Sequence, residues 1–285
     1  MIELASEAAI RREPSAATAD QVIELASERR SVPWSRRKST TRIVSILSPL
    51  LLLALWEAFS RLGAIDARFF PAPTTIFSNL LRLFETGEMW LHLGVSLGRI
   101  AIGFLWGAIP GVVLGLIMGL SPIVRAAVMP IVNATFPVPK LALLPLILIV
   151  FGIGETSKII VIAISVIYLT LINTMTGVMN IPSIYLDVGR NFRAGRWMFF
   201  KDVALPGALP LIFAGLKLGM GIALLVIMAA EFVGAKSGVG YFIWSSWNVF
   251  AVQDMYAGLI VIAVLGGVTT LLLDVLEHWI IPWKR

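Results

Sequence analysis

No cysteine occurs anywhere in the 285 residues, which removes disulfides, thiol nucleophiles and thiolate-held metals. Histidine is nearly as scarce. His92 and His278 are the only two, one at each end of the apolar core, so no imidazole-based metal or nucleophile site is expected. Charge is short as well: 14% of the chain is Asp, Glu, Lys or Arg, against about 25% in an ordinary soluble domain. No phosphate-binding G-x-x-x-x-G-K-[ST] occurs. The nearest stretch, "GAKSG" at 234–238, lacks the glycine directly before the lysine. Nucleotide chemistry, where it is needed, therefore belongs to another chain. A membrane enzyme would want clustered His, Asp, Glu or Cys, and an ATP-independent channel or secondary carrier would want a charge-paired relay inside its spans. With Glu57, Glu231, Asp274 and Glu277 all towards span ends, both classes rank low.

What the chain has is apolar length. It is 58% hydrophobic with a mean hydropathy of +0.89, the composition of an all-α polytopic membrane protein. Crossing about 30 Å of hydrocarbon takes roughly 20 apolar residues in a helix. Six such runs are expected: Ile43–Phe59, His92–Leu120, Ala126–Phe151, Ile159–Met179, Leu205–Val233 and Tyr256–Ile280. Pro130, Pro137, Pro139 and Pro145 break the third, and the carbonyls freed there need protein or a wetted cavity around them.

Residues 1–42 are set apart, with eight basic and six acidic residues and no apolar core of a secretion signal. They read as a cytoplasmic tail, partly disordered, with a short helix around Asp20–Arg30. Residues 43–285 form the transmembrane domain. With both termini inside, the inner segments carry Arg36, Arg37, Lys38, Arg42, Arg125, Arg190, Arg193, Arg196, Lys201, Lys284 and Arg285. The outer ones carry Arg61, Arg68, Arg82, Lys158 and Lys236. That imbalance sets the orientation. The net charge of +6 then records topology, and nucleic acid is not an expected partner.

Gly103, Gly107, Gly111, Gly115 and Gly119 recur every four residues in the second span. They line one helix face without side chains, suited either to helix packing within one subunit or to an interface between subunits or gates. Arg99 lies one step along the same ridge. Lys140, Lys217 and Glu231 are further charges inside or beside spans, where each costs ~2.5–3.5 kcal/mol if left to lipid. Two readings stay open for these four. They pair or snorkel, or they line a positively charged pathway for an anionic solute.

Between the fourth and fifth spans lies "IPSIYLDVGRNFRAGRWMFFKDVALPGALP". Apolar positions at Tyr185, Val188 and Phe192, then at Trp197, Phe200 and Val203, follow helical spacing. Two short amphipathic helices meeting near Arg193–Gly195 are expected, a hairpin at about 182–204. It reads either as a docking surface for a soluble partner or as a loop resting on headgroups.

Here the chain resembles the permeases of binding-protein-dependent ABC importers. Their cytoplasmic signature runs E-A-A, three residues, G, then a spacer and L-P-x-x-x-P. Asp187 stands for the Glu, Val188–Gly189 for the Ala pair, Arg193 for the usual Gly, and "LPGALP" (205–210) for the end. Gly195 is the residue left to take over the turn that the usual Gly makes. "SLGRIAIGF" (96–104), "PVPKLALLPLILIVFGIGETSK" (137–158), "GLKLGMGIA" (215–223) and "AAEFVGAKSGVGYFI" (229–243) are similar to the sulfonate, taurine, nitrate and bicarbonate branch, with Lys140 departing from the apolar or proline residue common there. The resemblance spans about residues 45–282. It implies a type I importer permease fold in the inner membrane and no catalysis by this chain. It also implies a second, identical permease subunit, two cytoplasmic ATPases that use ATP and Mg, and an extracytoplasmic binding protein. Coupling to the ATPase would fall to Asp187, Gly189, Arg193, Gly195, Trp197, Phe199, Phe200 and Pro206. The pathway would fall to Arg99, Lys140, Lys217 and Glu231. A small anion is the expected solute, an uncharged or aromatic vitamin precursor the alternative.

Overall fold

The computed structural model describes residues 38–192 and 194–283, and all of these that are regular are helical. The expected helix around Asp20–Arg30, and Arg193, lie outside the described residues. Helix α1 (Lys38–Arg61) opens inside the segment read as tail and carries Pro49. It forms a unit of its own, residues 1–65, and residues 66–285 form the other.

The second unit starts with a helix that the sequence reading passed over, α2 (Pro73–Glu85). Pro73 opens it where no N–H is needed, and Ile76, Leu80 and Leu83 bury one stripe. Then come α3 (Glu88–Leu120), α4 (Pro122–Thr135), a 3₁₀ turn (Lys140–Leu143), α5 (Leu144–Phe151) and α6 (Glu155–Met179). The hairpin helices α7 (Ser183–Asn191) and α8 (Arg196–Phe199) follow, with a π-helical turn (Phe200–Ala204) leading into α9 (Leu205–Phe232). A short helix, α10 (Val239–Asn248), and the long α11 (Val252–Ile280) complete the chain. Among the described residues, five helices are long and apolar enough to cross a membrane, six if α4 and the Lys140–Phe151 segment count as one broken span.

That pair is bent by 82°, and the sequence "FPVPK" explains it. In a continuing helix the Thr135 carbonyl would accept from residue 139, which is a proline without an N–H. Lys140 replaces the missing donors: its Nζ donates to the carbonyls of Thr135 (2.8 Å), Phe136 (2.9 Å) and Val138 (2.8 Å).

The core is α6 held between α3 and α9. On the α3 side all five ridge glycines touch α6. A Cβ on Gly103 would stand 2.7 Å from Ile162 Cβ, on Gly107 2.5 Å from the Ala163 carbonyl, and on Gly111 1.9 Å from Thr170 Oγ1. On Gly115 it would stand 2.6 Å from the Leu171 carbonyl, and on Gly119 2.5 Å from Val178 Cβ. The ridge thus serves packing inside the subunit. On the opposite side, Gly215 of α9 has Asn173 Cβ at 2.8 Å from its own Cβ position. Lipid offers these helices no hydrophobic drive to associate, so close backbone approach and dispersion supply the attraction. Ile100, Phe104, Ile162, Val166, Ala223 and Ile227 fill what the glycines leave.

Candidate coupling hairpin and buried charge network

The hairpin grows directly out of α9. Its second arm is not a separate short helix, as the sequence reading had it. Helix α8 runs through the π turn into the span without a break. Pro206 accounts for the π turn: a proline cannot donate back to residue 202, and the wider turn absorbs that gap. Gly195 does not make a left-handed turn either. Its φ of −62° and ψ of 158° are extended, and it stands as the N-cap of α8. Gly189 is buried, and a Cβ there would come 3.0 Å from Phe199 Cδ2. The small residue therefore lets the Phe199 ring close the two arms.

Phe199, Phe200 and Val203 are half-buried and pack with Ala204, Ala208 and Ile181 at the base of α9. Pro206 is half-buried, and Asp187 is exposed. The outward apolar set is different: Ile184, Tyr185, Val188, Phe192, Trp197 and Met198 are exposed, Phe192 by 82% and Trp197 by 72%. Trp197 leans on Phe200 with ring centroids 5.7 Å apart, so an inward ring props an outward one.

At the other end of α9, about 42 Å away at 1.5 Å per residue, lies a buried ionic network. Arg99 (α3) is 3% exposed and Glu231 (α9) is fully buried. Arg99 Nη1 donates to Glu231 Oε1 (2.7 Å) and to the Ser237 carbonyl (2.7 Å). Its Nε and Nη2 form a fork on Glu155 (α6), at 2.5 and 2.6 Å. Ser96 Oγ donates to Glu231 and accepts from the Val239 N–H (2.8 Å). Gly240 N–H donates to Glu231 Oε2 (2.8 Å) and Gly238 N–H to His92 Nδ1 (3.1 Å). Three successive amides at the start of α10 are thereby satisfied from α3 and α9. A carboxylate at a helix N-terminus also meets the positive end of its dipole.

Glycine is required at 238 twice over. Its φ is +118°, and a Cβ would lie 2.3 Å from the Glu231 carboxylate. Lys158, counted from the sequence as an outer surface charge, is 2% exposed. Its Nζ donates to the Gly154 carbonyl (3.0 Å). Glu155 and Lys158 thus lie within α6, which starts four residues before the expected span. Glu155 was missed because its partner Arg99 is 56 positions away.

The other candidate charges have internal partners too. Lys217 bridges α9 to Asp274 and Glu277 of α11. Lys140 caps α4 as described and lies over the Tyr168 ring at 4.4 Å. Arg99 and Glu231 hold each other. Among the described residues no cluster of His, Asp or Glu could hold a metal ion. An open recess of about 780 Å³ lies between α2 and the α10–α11 turn, lined by Arg68, Asn79, Arg82, Phe250 and Asp254 among others. In the loop at its edge, the Arg68 guanidinium bonded to Asp66 holds that carboxyl below its ordinary range.

Residues 111–285 match the family described as the binding-protein-dependent transport system inner membrane component. The chain belongs to that family. It is an inner-membrane permease component of a transport system, with the multi-span helical fold expected of one. The taurine transport system permease protein TauC of Escherichia coli is 33% identical over 91% of this chain and 96% of its own. An aliphatic sulfonates transport permease protein, SsuC of Bacillus subtilis, is 34% identical over 87% of this chain and 90% of its own. The permease of the inward-facing MetNI methionine ABC transporter superposes with a TM-score of 0.58, covering 65% of this chain and 93% of that one at 17% identity. That likeness is one of fold.

Proposed function

We propose that this permease forms the membrane pathway of an ATP-driven importer for a small solute bearing an oxyanion group. Two cytoplasmic ATPases using ATP and Mg, a second copy of this chain and an extracytoplasmic binding protein would complete the machine. Both termini then face the cytoplasm, the hairpin is inside, and the Arg99 network lies towards the outer face. The excess of inner Lys and Arg supports that orientation.

The observation that carries the reading is the hairpin's construction. Exposed apolar side chains project from α7, from Phe192 just after it and from α8, and α8 is continuous with α9. A push on that surface is delivered along a rigid rod into the membrane core. Such a surface, built of aromatics over an anchored base, suits a protein groove. Relatives named for sulfonates, taurine, nitrate and bicarbonate share solutes with an oxyanion head, which supports the solute class.

The test is co-expression with the cognate ATPase. Tyr185→Ser, Phe192→Ser and Trp197→Ser together are expected to abolish ATPase co-purification and uptake while leaving membrane insertion and thermal stability unchanged. Undiminished ATPase in the triple variant sinks the reading. Uptake of nitrate, taurine and bicarbonate in proteoliposomes with the binding protein then separates the solutes, and transport of an uncharged compound alone refutes the anion class.

A further inference from the structure

The two carboxylates on Arg99 are held very differently. Glu231 is fully buried and takes bonds from Arg99, Ser96 and the Gly240 amide. Glu155 is bonded through the Arg99 fork, and its side chain is 61% exposed. Next to Glu155 the backbone turns sharply at glycine. Gly152 has φ +79° and begins the three-residue link from α5 to α6. Gly234, at φ +71°, lies against that link, since a Cβ there would meet Ile153 Cγ2 at 2.9 Å. The 82° break at 136–139 bounds the same segment on its other side. So α5 and the 152–154 link lie between two sharp changes of chain direction, with Leu144 and Ile147 buried against the bundle, and the Glu155–Arg99 pair ties the residue just past the link to α3.

Lys158 stands one turn further along α6. It is almost fully buried, with its bond to the Gly154 carbonyl and, among the described residues, no carboxylate within salt-bridge distance. Residues i and i+3 on a helix are neighbours, and its charge is within electrostatic reach of Arg99, Glu155 and Glu231. An acid that left Arg99 would find a second cation already in place, which lowers the cost of parting. A buried guanidinium meanwhile keeps Glu231, so it is never left without a counter-ion.

We propose that Glu155 is the gating residue of the outer side, exchanging between Arg99 when the pathway is shut and Lys158 when it opens, while Arg99–Glu231 stays closed throughout. This rests on the importer reading above. It goes further by assigning the outer gate to one releasable ion pair and its fixed counterpart.

The natural absence of cysteine makes a clean test possible. Ser157→Cys places one thiol at a buried position in the first turn of α6, two residues from Glu155, isosteric with a hydroxyl that donates to the Gly152 carbonyl. In proteoliposomes holding the complete importer, labelling by a membrane-impermeant maleimide from the outer side is followed with and without ATP and vanadate. In the resting state the added Glu155→Gln is expected to raise the labelling rate about ten-fold and to raise ATP hydrolysis without binding protein. Glu155→Asp should restore at least half of the closure. ATP and vanadate should produce the same increase in the Ser157→Cys parent. Labelling within two-fold of the parent in Glu155→Gln, or an increase that the aspartate does not reverse, overturns the gate. In either case an ATPase that still co-purifies leaves the importer reading intact, so the two failures are told apart.

Discussion

The two ends of α9 are built on opposite principles. At the Phe232 end, charge is hidden: Arg99, Glu231, Ser96 and His92 satisfy one another and the first amides of α10. At the Ala204 end, apolar surface is shown: Phe192 and Trp197 project while Phe199 and Phe200 fasten the base. Each arrangement inverts what its surroundings favour. Charges sit where lipid and protein exclude water, and aromatics sit where water is present. The first is stable because every member has its partner within the chain. The second fits a surface whose partner lies outside the chain. Self-sufficiency at one end and incompleteness at the other suit the coupling role proposed for α9, held at one end and pushed at the other.

The sharpest way to break this contrast is to remove the fixed acid. Glu231→Ala would leave Nη1 of the buried Arg99 with the Ser237 carbonyl alone and strip Ser96 and the Gly240 amide of their acceptor. Loss of one partner of a buried pair costs about 3–5 kcal/mol, so the variant is expected to aggregate on extraction. Size-exclusion profiles in detergent report it. Gly111→Leu comes next. Even a Cβ there would stand 1.9 Å from Thr170 Oγ1, so α3 and α6 must part. Overpacking of about 1–3 kcal/mol or more is expected, read as a lowered unfolding temperature.

These two effects differ in how visible they were beforehand. The glycine ridge is written in one helix as a period of four, and the spans are written as runs of about 20 apolar residues. Both are local regularities, and both are present in the structure. The break at "FPVPK" was legible from its prolines, yet the use of Lys140 to cap it was not, because nothing in a charge's identity says whether its donors meet carbonyls or solute. Lys158 was counted among the outer charges, and Glu155 was not singled out at all. Only the folding of α3 against α6 reveals them as network members. The hairpin's location was legible too, but which aromatics face outwards was not. Helical spacing gives a shared stripe without saying which stripe lies against the base of α9.

A pair of single changes sharpens the comparison at the hairpin. Phe199→Ala removes a half-buried ring packed on Gly189 and the α9 base. Fully buried Phe→Ala changes cost about 3–5 kcal/mol, so a half-buried one should cost roughly 1–2 kcal/mol, seen as a lower melting temperature. Trp197→Ala should leave melting within about 0.5 kcal/mol, as exposed sites do. It should instead weaken ATPase association by about 2 kcal/mol, roughly 30-fold, the size of an interface hot spot. If both variants changed stability alone, the hairpin would be a structural element with no docking role.

The smallest effects should come from Lys140 and Lys217. Lys140→Met removes three bonds to carbonyls at the 82° bend, but its head is half-buried rather than deeply enclosed, so water can reach the acceptors it leaves. A net loss of about 1 kcal/mol is expected from hydrogen bonds of this kind. Lys217→Met should cost somewhat more, since Asp274 is exposed and rehydrates but Glu277 is mostly covered and loses its cation. Solute uptake separates the two roles that these lysines could play. A lysine serving only the fold lowers the melting temperature slightly and leaves uptake within about two-fold once the amount of assembled transporter is equalised. A lysine that meets the solute lowers uptake far more than it lowers stability, and neutral methionine, which fills the same stem volume, keeps packing from confusing the two. Because Lys140 already spends its three protons on three carbonyls, it has none left for an anion unless the bend itself opens. Uptake by Lys140→Met should therefore match the parent, and a selective loss there would mean that the bend straightens during transport.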